Sequence, residues 1–269
     1  MHTVELIEHT ESILEVQLNR PEIHNAFDDQ MIAELNQTWD SLKNDDTIRV
    51  IILSAKGKSF SAGADLNWMR RMADYSFEEN YQDSMALAQC LQGFQQLPVP
   101  VIARVQGAAY GGGVGLLSCA DIVVATRRAS FRLSEVALGL VPAVISPYVI
   151  EAIGKRAAER YFVTAERFKA DKALQLGLIS ELVEEDELDD TVMRIAQAIN
   201  QNGPNAVRRA KRLIHDVAGK PINQSLMHHT ASTIAEIRAS DEGQEGVTSF
   251  LTKRAPAWQN DDWDEADNV

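Results

Sequence analysis

The chain has 269 residues, of which 45% are hydrophobic, and a formal net charge of −13. This length and apolar content suit one large globular domain, or a domain with an extension, and exclude a disordered chain. Acidic residues (39) outnumber basic ones (26), which argues against nucleic acid or an anionic membrane as the main partner, because both require a basic surface.

Strand and helix patterns alternate along the first part of the chain. Asp28 can cap a helix, because the apolar residues that follow it recur at helical spacing. Residues 49–55 are nearly all apolar and predict a strand that is buried on both faces. In chain order, the predicted elements are a strand at 13–18, a helix after Asp28, the strand at 49–55, helices from Asp65 and over 77–97, a strand at 98–107, a glycine-opened helix that ends near Ala120, and a strand at 121–126. This alternation predicts an α/β fold in which helices pack on a sheet.

Strand patterns stop near residue 186, and four helical patterns follow, at 186–201, 205–219, 223–240 and 241–255. We therefore predict an α/β core over residues 1–200 and a helical region over 201–269, with a hinge at 202–206. The acidic end, residues 260–269, is expected to be a solvated tail.

The remaining composition predicts neither a metal site nor a membrane segment. Cys90 and Cys119 form no CxxC motif and are expected to be buried thiols, and the six histidines have no metal-binding spacing. The first residues lack the basic and apolar segments of a signal peptide, and no apolar run reaches the roughly 18 residues that crossing a bilayer needs. We therefore expect a cytoplasmic protein.

The segment GAAYGGGVGL (107–116) places several glycines at the start of a predicted helix. It matches neither GxGxxG, because the pattern that starts at Gly113 breaks at Ser118, nor the P-loop, because glycine and not lysine follows Gly112. Glycines there allow a ligand to approach the first N–H groups of the helix, which have no helical partner and can hold a negative charge. Tight packing of the helix against the sheet is the alternative explanation.

A second loop, GKSFSAGADL (57–66), also lies between a buried strand and a helix. Its residues Ala62, Gly63 and Ala64 are small and again permit a close approach to the backbone. Two such helix starts can each supply one N–H group to the same oxygen atom, which is the geometry of an oxyanion hole.

Six motifs give the sequence a resemblance to a known family. They are NRPEIHNAF, FSAGADL, PVPVIARVQGAAYGGGVGL, CADIVVAT, FRLSEVALGLVP and SFLTKRAP, and they follow one another from near residue 19 to near residue 256. In this order they resemble the crotonase (enoyl-CoA hydratase/isomerase) superfamily. The resemblance implies a crotonase-like spiral of ββα units followed by a helical trimerisation region, assembly as a homotrimer or a hexamer (a dimer of trimers), and an acyl-CoA substrate. It implies no separate cofactor, because CoA is part of the substrate.

The resemblance also implies roles for individual residues. The N–H groups of Ala64 and Gly112 would form the oxyanion hole for the thioester oxygen, and Glu135 would be the catalytic acid and base. The residues implied in substrate binding are Ala62, Gly63, Asp65, Leu66, Tyr110, Gly111, Arg132, Phe250 and Lys253, with the last two contacting CoA near the helical tail.

Hydratases of this family usually carry two glutamates, and this chain has one of them. The first belongs two residues after the glycine triplet, where this chain has Gly115, and the second is Glu135. An apolar setting such as FRLSEVALGLVP raises the pKa of a carboxyl group by desolvation, so that Glu135 can both accept and donate a proton. A surface or capping role is the alternative for this glutamate.

One carboxyl group can serve either of two reactions. It can transfer a proton between Cα and Cγ of an enoyl thioester, which is isomerisation, or it can activate a water for attack on C3 and return the proton to Cα, which is hydration. The segments FSAGADLNWMRRMA and FRLSEVALGLVPAVISPYVIEAIG, together with Gly115, resemble the bacterial methylglutaconyl-CoA hydratases. The predicted reaction is therefore hydration of 3-methylglutaconyl-CoA to 3-hydroxy-3-methylglutaryl-CoA, in leucine or branched-acid catabolism. A Δ3,Δ2-enoyl-CoA isomerase is the alternative.

A substrate with a second carboxylate needs a cation or hydrogen-bond donors near its acyl group. Arg132, and Arg70 and Arg71 after the second loop, are candidates, and surface ion pairs are the alternative for each. Tyr110 could position a water or serve in packing, and His24 is expected to be structural. An RNA-binding protein, which some relatives of these hydratases are, is disfavoured by the net charge of −13 and the lack of a basic cluster.

Overall fold

Nine strands form two sheets within residues 2–259, the part of the chain that this computed structural model describes. They are β1 (Val4–Glu8), β2 (Ile13–Leu18), β3 (Val50–Ala55), β4 (Val101–Val105), β5 (Ala109–Tyr110), β6 (Ile122–Thr126), β7 (Ser130–Arg132), β8 (Phe168–Lys169) and β9 (Glu181–Val183). The main sheet has the order β1-β2-β3-β4-β6-β9, and the small sheet has the order β5-β7-β8. In the main sheet β1 is antiparallel to β2 and every other neighbouring pair is parallel.

Ten α-helices connect and follow these strands in the described residues. They are α1 (Asp29–Leu42), α2 (Leu66–Met72), α3 (Phe77–Gln95), α4 (Gly112–Cys119), α5 (Ser146–Thr164), α6 (Ala170–Leu176), α7 (Leu188–Asn200), α8 (Pro204–Val217), α9 (Gln224–Ala239) and α10 (Asp241–Thr252). The predicted first helix is confirmed, because the Asp28 side chain accepts a hydrogen bond from the Met31 N–H at 2.8 Å and so caps α1.

The main sheet is covered on both faces, as parallel sheets usually are. Ile51 and Leu53 of β3 belong to the larger core cluster, which includes residues of α1 and α3. Val50 and Ile52, on the opposite face of the same strand, pack in a second cluster with Leu188 of α7. All six residues of β3 are buried, so the predicted doubly buried strand is confirmed.

The four carboxyl-terminal helical patterns correspond to α7, α8, α9 and α10, and no strand follows residue 186 among the described residues, as predicted. A buried lysine, Lys211, ties α8 to the sheet: its Nζ donates to the Val99 carbonyl at 2.9 Å and to Asp121 Oδ2 at 2.7 Å. α8 begins at Pro204, inside the segment predicted as a hinge. The division of the chain near residue 200 stays a prediction, and the acidic end at 260–269 lies outside the described residues.

The sequence patterns did not identify β1, the small sheet, β9, α5 or α6. Strands of two or three residues are too short to show an alternation of polar and apolar side chains. The small sheet nevertheless positions the site, because β5 ends at Tyr110, directly before α4, and β7 ends at Arg132, close to Glu135. These two strands are parallel and pair Tyr110 with Arg132.

Two predicted absences concern the described part of the chain. Within residues 2–259, no helix combines the length and the apolarity that crossing a bilayer would require. The same residues contain no group of three or more His, Cys, Asp or Glu side chains placed to hold a metal ion. Both cysteines are buried thiols, as predicted, and burial raises the pKa of Cys90 to about 12.

Candidate active site

The two glycine-containing loops lie side by side. A Cβ atom on Gly63 would lie 3.3 Å from the Tyr110 carbonyl oxygen, and a Cβ on Gly111 would lie 3.8 Å from Gly63 Cα. Both glycines have positive φ, +92° for Gly63 and +50° for Gly111, a conformation that other residues adopt only with strain. Glycine is therefore required at both positions, for conformation and for close approach.

Backbone hydrogen bonds hold the two loops together. The N–H groups of Phe60 and Ser61 both donate to the Ala108 carbonyl, at 2.9 and 3.1 Å, and the Tyr110 N–H donates to the Ser61 carbonyl at 2.9 Å. On the other side, Phe27 forms a parallel bridge with Ala64. The position of Ala64 is thus set by main-chain contacts on both sides of its loop.

Ala64 and Gly112 each carry a backbone N–H group that donates no hydrogen bond to any described residue. In the bridge, the Phe27 N–H donates to the Gly63 carbonyl, and the Phe27 carbonyl accepts from the Asp65 N–H. The N–H of Ala64 itself takes no part in the bridge. Gly112 is the first residue of α4, where an N–H group has no partner within the helix and lies at the positive end of the helix dipole. Such N–H groups can bind an oxygen atom that gains negative charge.

Glu135 brings an acid to these donors. It begins a short 3-10 helix, Glu135–Leu138, and a Cβ on Gly111 would lie 3.2 Å from its Oε1. Its Oε2 is buried and has no hydrogen-bond partner among residues 2–259. Burial raises the pKa of this carboxyl group above its ordinary value, and a hydrogen bond from its own backbone N–H opposes that rise in part.

Gly115 faces a hydrocarbon side chain and not a second acid. A Cβ on Gly115 would lie 2.3 Å from Cγ2 and 2.7 Å from Cβ of Ile145, which is 3% exposed. Even an alanine methyl group therefore collides with Ile145. Gly115 lies one helical turn beyond Gly111, so the face of α4 that meets Glu135 at one turn meets Ile145 at the next.

The three candidate arginines all have acceptors within the chain. Arg132 Nε donates to the Ala165 carbonyl at 2.8 Å, while the Arg132 carbonyl accepts from the Gly111 N–H at 2.9 Å. Arg71 pairs with Asp29, and Arg70 donates to the side chain of its neighbour Asn67 at 2.7 Å. The backbone of Arg132 thus supports the Gly111 turn, and binding of a carboxylate by its side chain stays a prediction.

The other residues of the second loop serve partly as structure. The Asp65 carboxylate caps α2 by accepting from the Asn67 and Trp68 N–H groups, at 2.6 and 3.2 Å. Burial, which acts to raise the pKa of Asp65, is outweighed by these bonds and by Arg20, so its pKa is lowered. Leu66 is 69% exposed and Ala62 is exposed, so both are open to a ligand.

The remaining predicted residues are two side chains with hydrogen-bond partners, Tyr110 and His24, and two residues at the end of α10, Phe250 and Lys253. The Tyr110 hydroxyl lies 3.3 Å from Ser130 Oγ. His24 Nδ1 lies 3.2 Å from Ser59 Oγ, and the His24 carbonyl accepts from the Ala62 N–H at 2.9 Å. Phe250, 82% exposed, and Lys253 lie at the end of α10, which packs on α8 and α9. Their contact with CoA stays a prediction.

Sequence reasoning missed three residues that shape the site: Ile145, Asn25 and Gln106. Ile145 has no local signal, because its role depends on meeting α4 in space. Asn25, in the NRPEIHNAF motif, is fully buried at φ +53°, and its amide donates to the carbonyls of Lys56 and Ser59 at 2.8 and 3.0 Å. The signal available in the sequence was an asparagine inside a turn motif, because asparagine adopts positive φ more readily than most residues.

Within this α/β fold, the loops that carry the Ala64 and Gly112 N–H groups meet beside the buried Glu135, and this arrangement fits a crotonase-type protein. Residues 8–261 match the enoyl-CoA hydratase/isomerase family. The chain therefore belongs to this family, and its fold is the α/β crotonase fold.

Individual relatives cover nearly the whole chain. The crystal structure of an enoyl-CoA hydratase from Shewanella pealeana superimposes with a TM-score of 0.92 at 45% identity, covering 96% of each chain. Enoyl-CoA hydratase from Mycobacterium tuberculosis is 33% identical over 257 residues, 95% of this chain and 96% of that protein. Mevalonyl-coenzyme A hydratase from Aspergillus fumigatus is 31% identical over 255 residues, 93% of this chain and 92% of that protein.

Proposed function

We propose that this enzyme hydrates 3-methylglutaconyl-CoA to 3-hydroxy-3-methylglutaryl-CoA with Glu135 as its one proton carrier. The observation that carries the proposal is the buried, unpartnered Oε2 of Glu135 beside the Gly111 turn. A carboxyl group left without a partner in a folded protein costs free energy, and such groups cluster where chemistry needs them.

The thioester oxygen accepts hydrogen bonds from the N–H groups of Ala64 and Gly112. Negative charge develops on this oxygen when C2 gains enolate character, and the two donors stabilise that charge more strongly than they stabilise the neutral carbonyl. Removing one such donor typically costs about 2.7–4 kcal/mol of transition-state stabilisation. The support for this role is that both N–H groups lack an acceptor among the described residues.

Glu135 moves the proton. Its carboxylate takes a proton from water as the water oxygen bonds to C3, and the resulting carboxylic acid gives the proton to C2. The C2–C3 double bond is replaced by a C3–OH bond and a C2–H bond, and the carboxylate is regenerated. A raised pKa suits both halves of this cycle near neutral pH.

The choice of acyl group has two supports. The sequence motifs resemble methylglutaconyl-CoA hydratases, and one relative is named for a mevalonyl thioester, whose C3 also carries a methyl group. In this proposal Arg132, Arg70 or Arg71 binds the second carboxylate. CoA enters as part of the substrate, so no separate cofactor takes part.

A Δ3,Δ2-enoyl-CoA isomerase is the second candidate, and the contact between Gly115 and Ile145 favours it. Ile145 excludes a second acid from α4, and isomerisation needs one proton carrier between Cγ and Cα. Glu135 would serve this reaction from the same position.

Absorbance of the conjugated enoyl thioester tests both candidates. Hydration of 3-methylglutaconyl-CoA removes the conjugated band, whereas isomerisation of a 3-enoyl-CoA creates it. Crotonyl-CoA, which lacks both the second carboxylate and the C3 methyl group, is the control substrate. We expect a higher kcat/KM for 3-methylglutaconyl-CoA than for crotonyl-CoA, and the opposite order would refute the acyl assignment.

We also infer assembly as a homotrimer or hexamer in which Phe250 and Lys253 reach the CoA of a neighbouring subunit. Exposed apolar side chains on and before the last two helices support this: Ile222, Met227, Ile234, Val247, Phe250 and Leu251. Light scattering measures the mass of the assembly. A monomer that binds CoA with unchanged affinity after Lys253→Ala would contradict the inference.

A further inference from the structure

Gln106 lies where the two loops of the site begin. It directly follows β4, and its side-chain amide donates to three carbonyl oxygens: Ala55 at 2.7 Å, Gly57 at 3.0 Å and Ser59 at 3.0 Å. These carbonyls belong to the end of β3 and to the loop that leads to Ala64. Gln106 is 7% exposed, so these bonds are buried, where they constrain the loop more strongly than they would in water.

The main chain of Gln106 is held as firmly as its side chain. Its carbonyl accepts from Thr126 Oγ1 at 3.1 Å and from Arg128 Nε at 2.7 Å. The next residue, Gly107, packs so closely on the other loop that a Cβ there would lie 2.1 Å from the Lys58 carbonyl oxygen. Gln106 therefore anchors the chain that continues to Gly112, while its amide anchors the loop that continues to Ala64.

The amide orientation of Gln106 is determined by its surroundings. Its Oε1 is buried and has no partner among the described residues, whereas the reversed amide would point that oxygen at three carbonyl oxygens. A buried, unsatisfied acceptor costs free energy, and apolar residues fill buried positions without that cost. The three carbonyl acceptors therefore account for a polar side chain at this buried position.

The Gln106 side chain faces away from the candidate active site. It lines a cavity of about 580 Å³ between the main sheet and α7, together with Glu15, Gln17 and Arg104. None of the loop residues 62–66, none of residues 110–112 and no atom of Glu135 lines that cavity. Any effect of Gln106 on the reaction must therefore act through the two loops.

We propose that Gln106 is a positioning residue that sets the separation of the Ala64 and Gly112 N–H groups, and thereby the strength with which the site polarises a thioester carbonyl. This rests on the proposed oxyanion role of those two N–H groups. It concerns a side chain that the reacting atoms never touch.

The test uses the full-length protein and a chromophoric cinnamoyl-CoA thioester, whose absorbance shifts to longer wavelength when its carbonyl is polarised. Gln106→Leu keeps the side-chain size and removes the donated bonds. We expect this variant to bind the thioester with a Kd within about threefold of the wild type, to lose at least half of the red shift, and to lose at least about tenfold in kcat with KM little changed.

Gln17→Leu is the matched control, because Gln17 lines the same cavity and its amide donates to Glu15 and Ser54, away from both loops. It should keep the red shift and the kcat. If Gln106→Leu does not fold, Gln106→Asn, with an amide one methylene shorter, should show a red shift below that of the wild type.

The outcomes separate the two proposals. A wild-type red shift in a folded Gln106→Leu or Gln106→Asn variant overturns the positioning role alone. A wild-type protein that binds the thioester without any red shift overturns the oxyanion role, and the positioning role with it.

Discussion

Ile145 occupies the space that any side chain at position 115 would need: its Cγ2 lies 2.3 Å from where a Cβ on Gly115 would be. Glycine is therefore the residue that fits this position in the middle of a buried helix, where alanine would otherwise be favoured by about 0.5–1 kcal/mol. The contact also leaves no room for an acidic side chain at position 115.

Gly115→Ala should lower the free energy of unfolding by about 1–3 kcal/mol, because overpacking forces Ile145 or the α4 backbone to move. Gly93→Ala is the control, since Gly93 also lies in a helix but a Cβ there would lie 3.7 Å from Trp39, at ordinary contact distance. Gly93→Ala should be neutral or slightly stabilising. Urea unfolding measures both.

The same contact predicts coupling between the two positions. In an Ile145→Gly background, Gly115→Ala should no longer destabilise the protein, because the colliding atoms are gone. Strictly additive changes in the free energy of unfolding would show that Ile145 is not the cause.

Gly111→Ala should abolish most activity, by about 10²-fold or more in kcat, because the added methyl group would lie 3.2 Å from Glu135 Oε1 and displace the carboxyl group. Gly139→Ala is the control: Gly139 has φ +74°, yet a Cβ there meets nothing within 4 Å. It should cost about 1–2 kcal/mol of stability from strain alone and keep its kcat. Steady-state kinetics of both variants, with unfolding measured in parallel, checks this, and equal losses of kcat would argue against a specific effect at Glu135.

Glu135→Gln should lower kcat by about 10²–10⁴-fold, because glutamine cannot accept or donate the transferred proton. Glu159→Gln, which changes an exposed glutamate paired with Arg156, should leave activity unchanged. Wild-type activity in Glu135→Gln would remove this residue from the mechanism.

The wild-type kcat/KM should fall as the pH is lowered through the pKa of Glu135, because the carboxylate form must take the proton from water. Burial raises that pKa, so the fall should occur above the ordinary value of 4.5. A pH–rate profile that is flat down to pH 4.5 would contradict a buried catalytic carboxylate.

The free energy of unfolding should also depend on pH through the raised pKa of Glu135. A folded-state pKa above the unfolded value means that the folded protein binds this proton more tightly, so stability falls as pH rises from the ordinary pKa through the raised one. Glutamine does not titrate. The difference in unfolding free energy, Glu135→Gln minus wild type, should therefore rise with pH across that window and then level off. Urea titrations at a series of pH values measure this difference.

Lys211→Met should destabilise the protein by about 1–3 kcal/mol, because it removes the donor to the Val99 carbonyl and the cation that Asp121 contacts at 2.7 Å. Burial lowers the pKa of Lys211, and the nearby Asp121 carboxylate opposes this lowering, so Asp121 helps to keep the buried lysine charged. Lys220→Met, at an exposed position, should have little effect. A comparable loss in both variants would rule out the ion pair as the cause.

Long elements could be predicted from the sequence because their patterns repeat over many residues. The apolar spacing after Asp28 identified α1, and the apolar run at 49–55 identified β3 as a strand buried on both faces. The small sheet could not be predicted in this way, because β5 and β8 have two residues each. β9, which has three residues, is also too short to be predicted from its pattern.

For the candidate site, the sequence by itself determined which residues are candidates for the chemistry: the two glycine-containing helix starts and one glutamate in an apolar segment. Whether those groups meet was decided by tertiary structure, through the main-chain pairing of Ser61 with Ala109 and of Tyr110 with Arg132. The sequence shows that position 115 is a glycine and not a second acid, but it does not show that Ile145 fills the space there. Contacts such as those of Ile145 with Gly115, or of Gln106 with three loop carbonyls, join residues distant in sequence, and no local pattern encodes them.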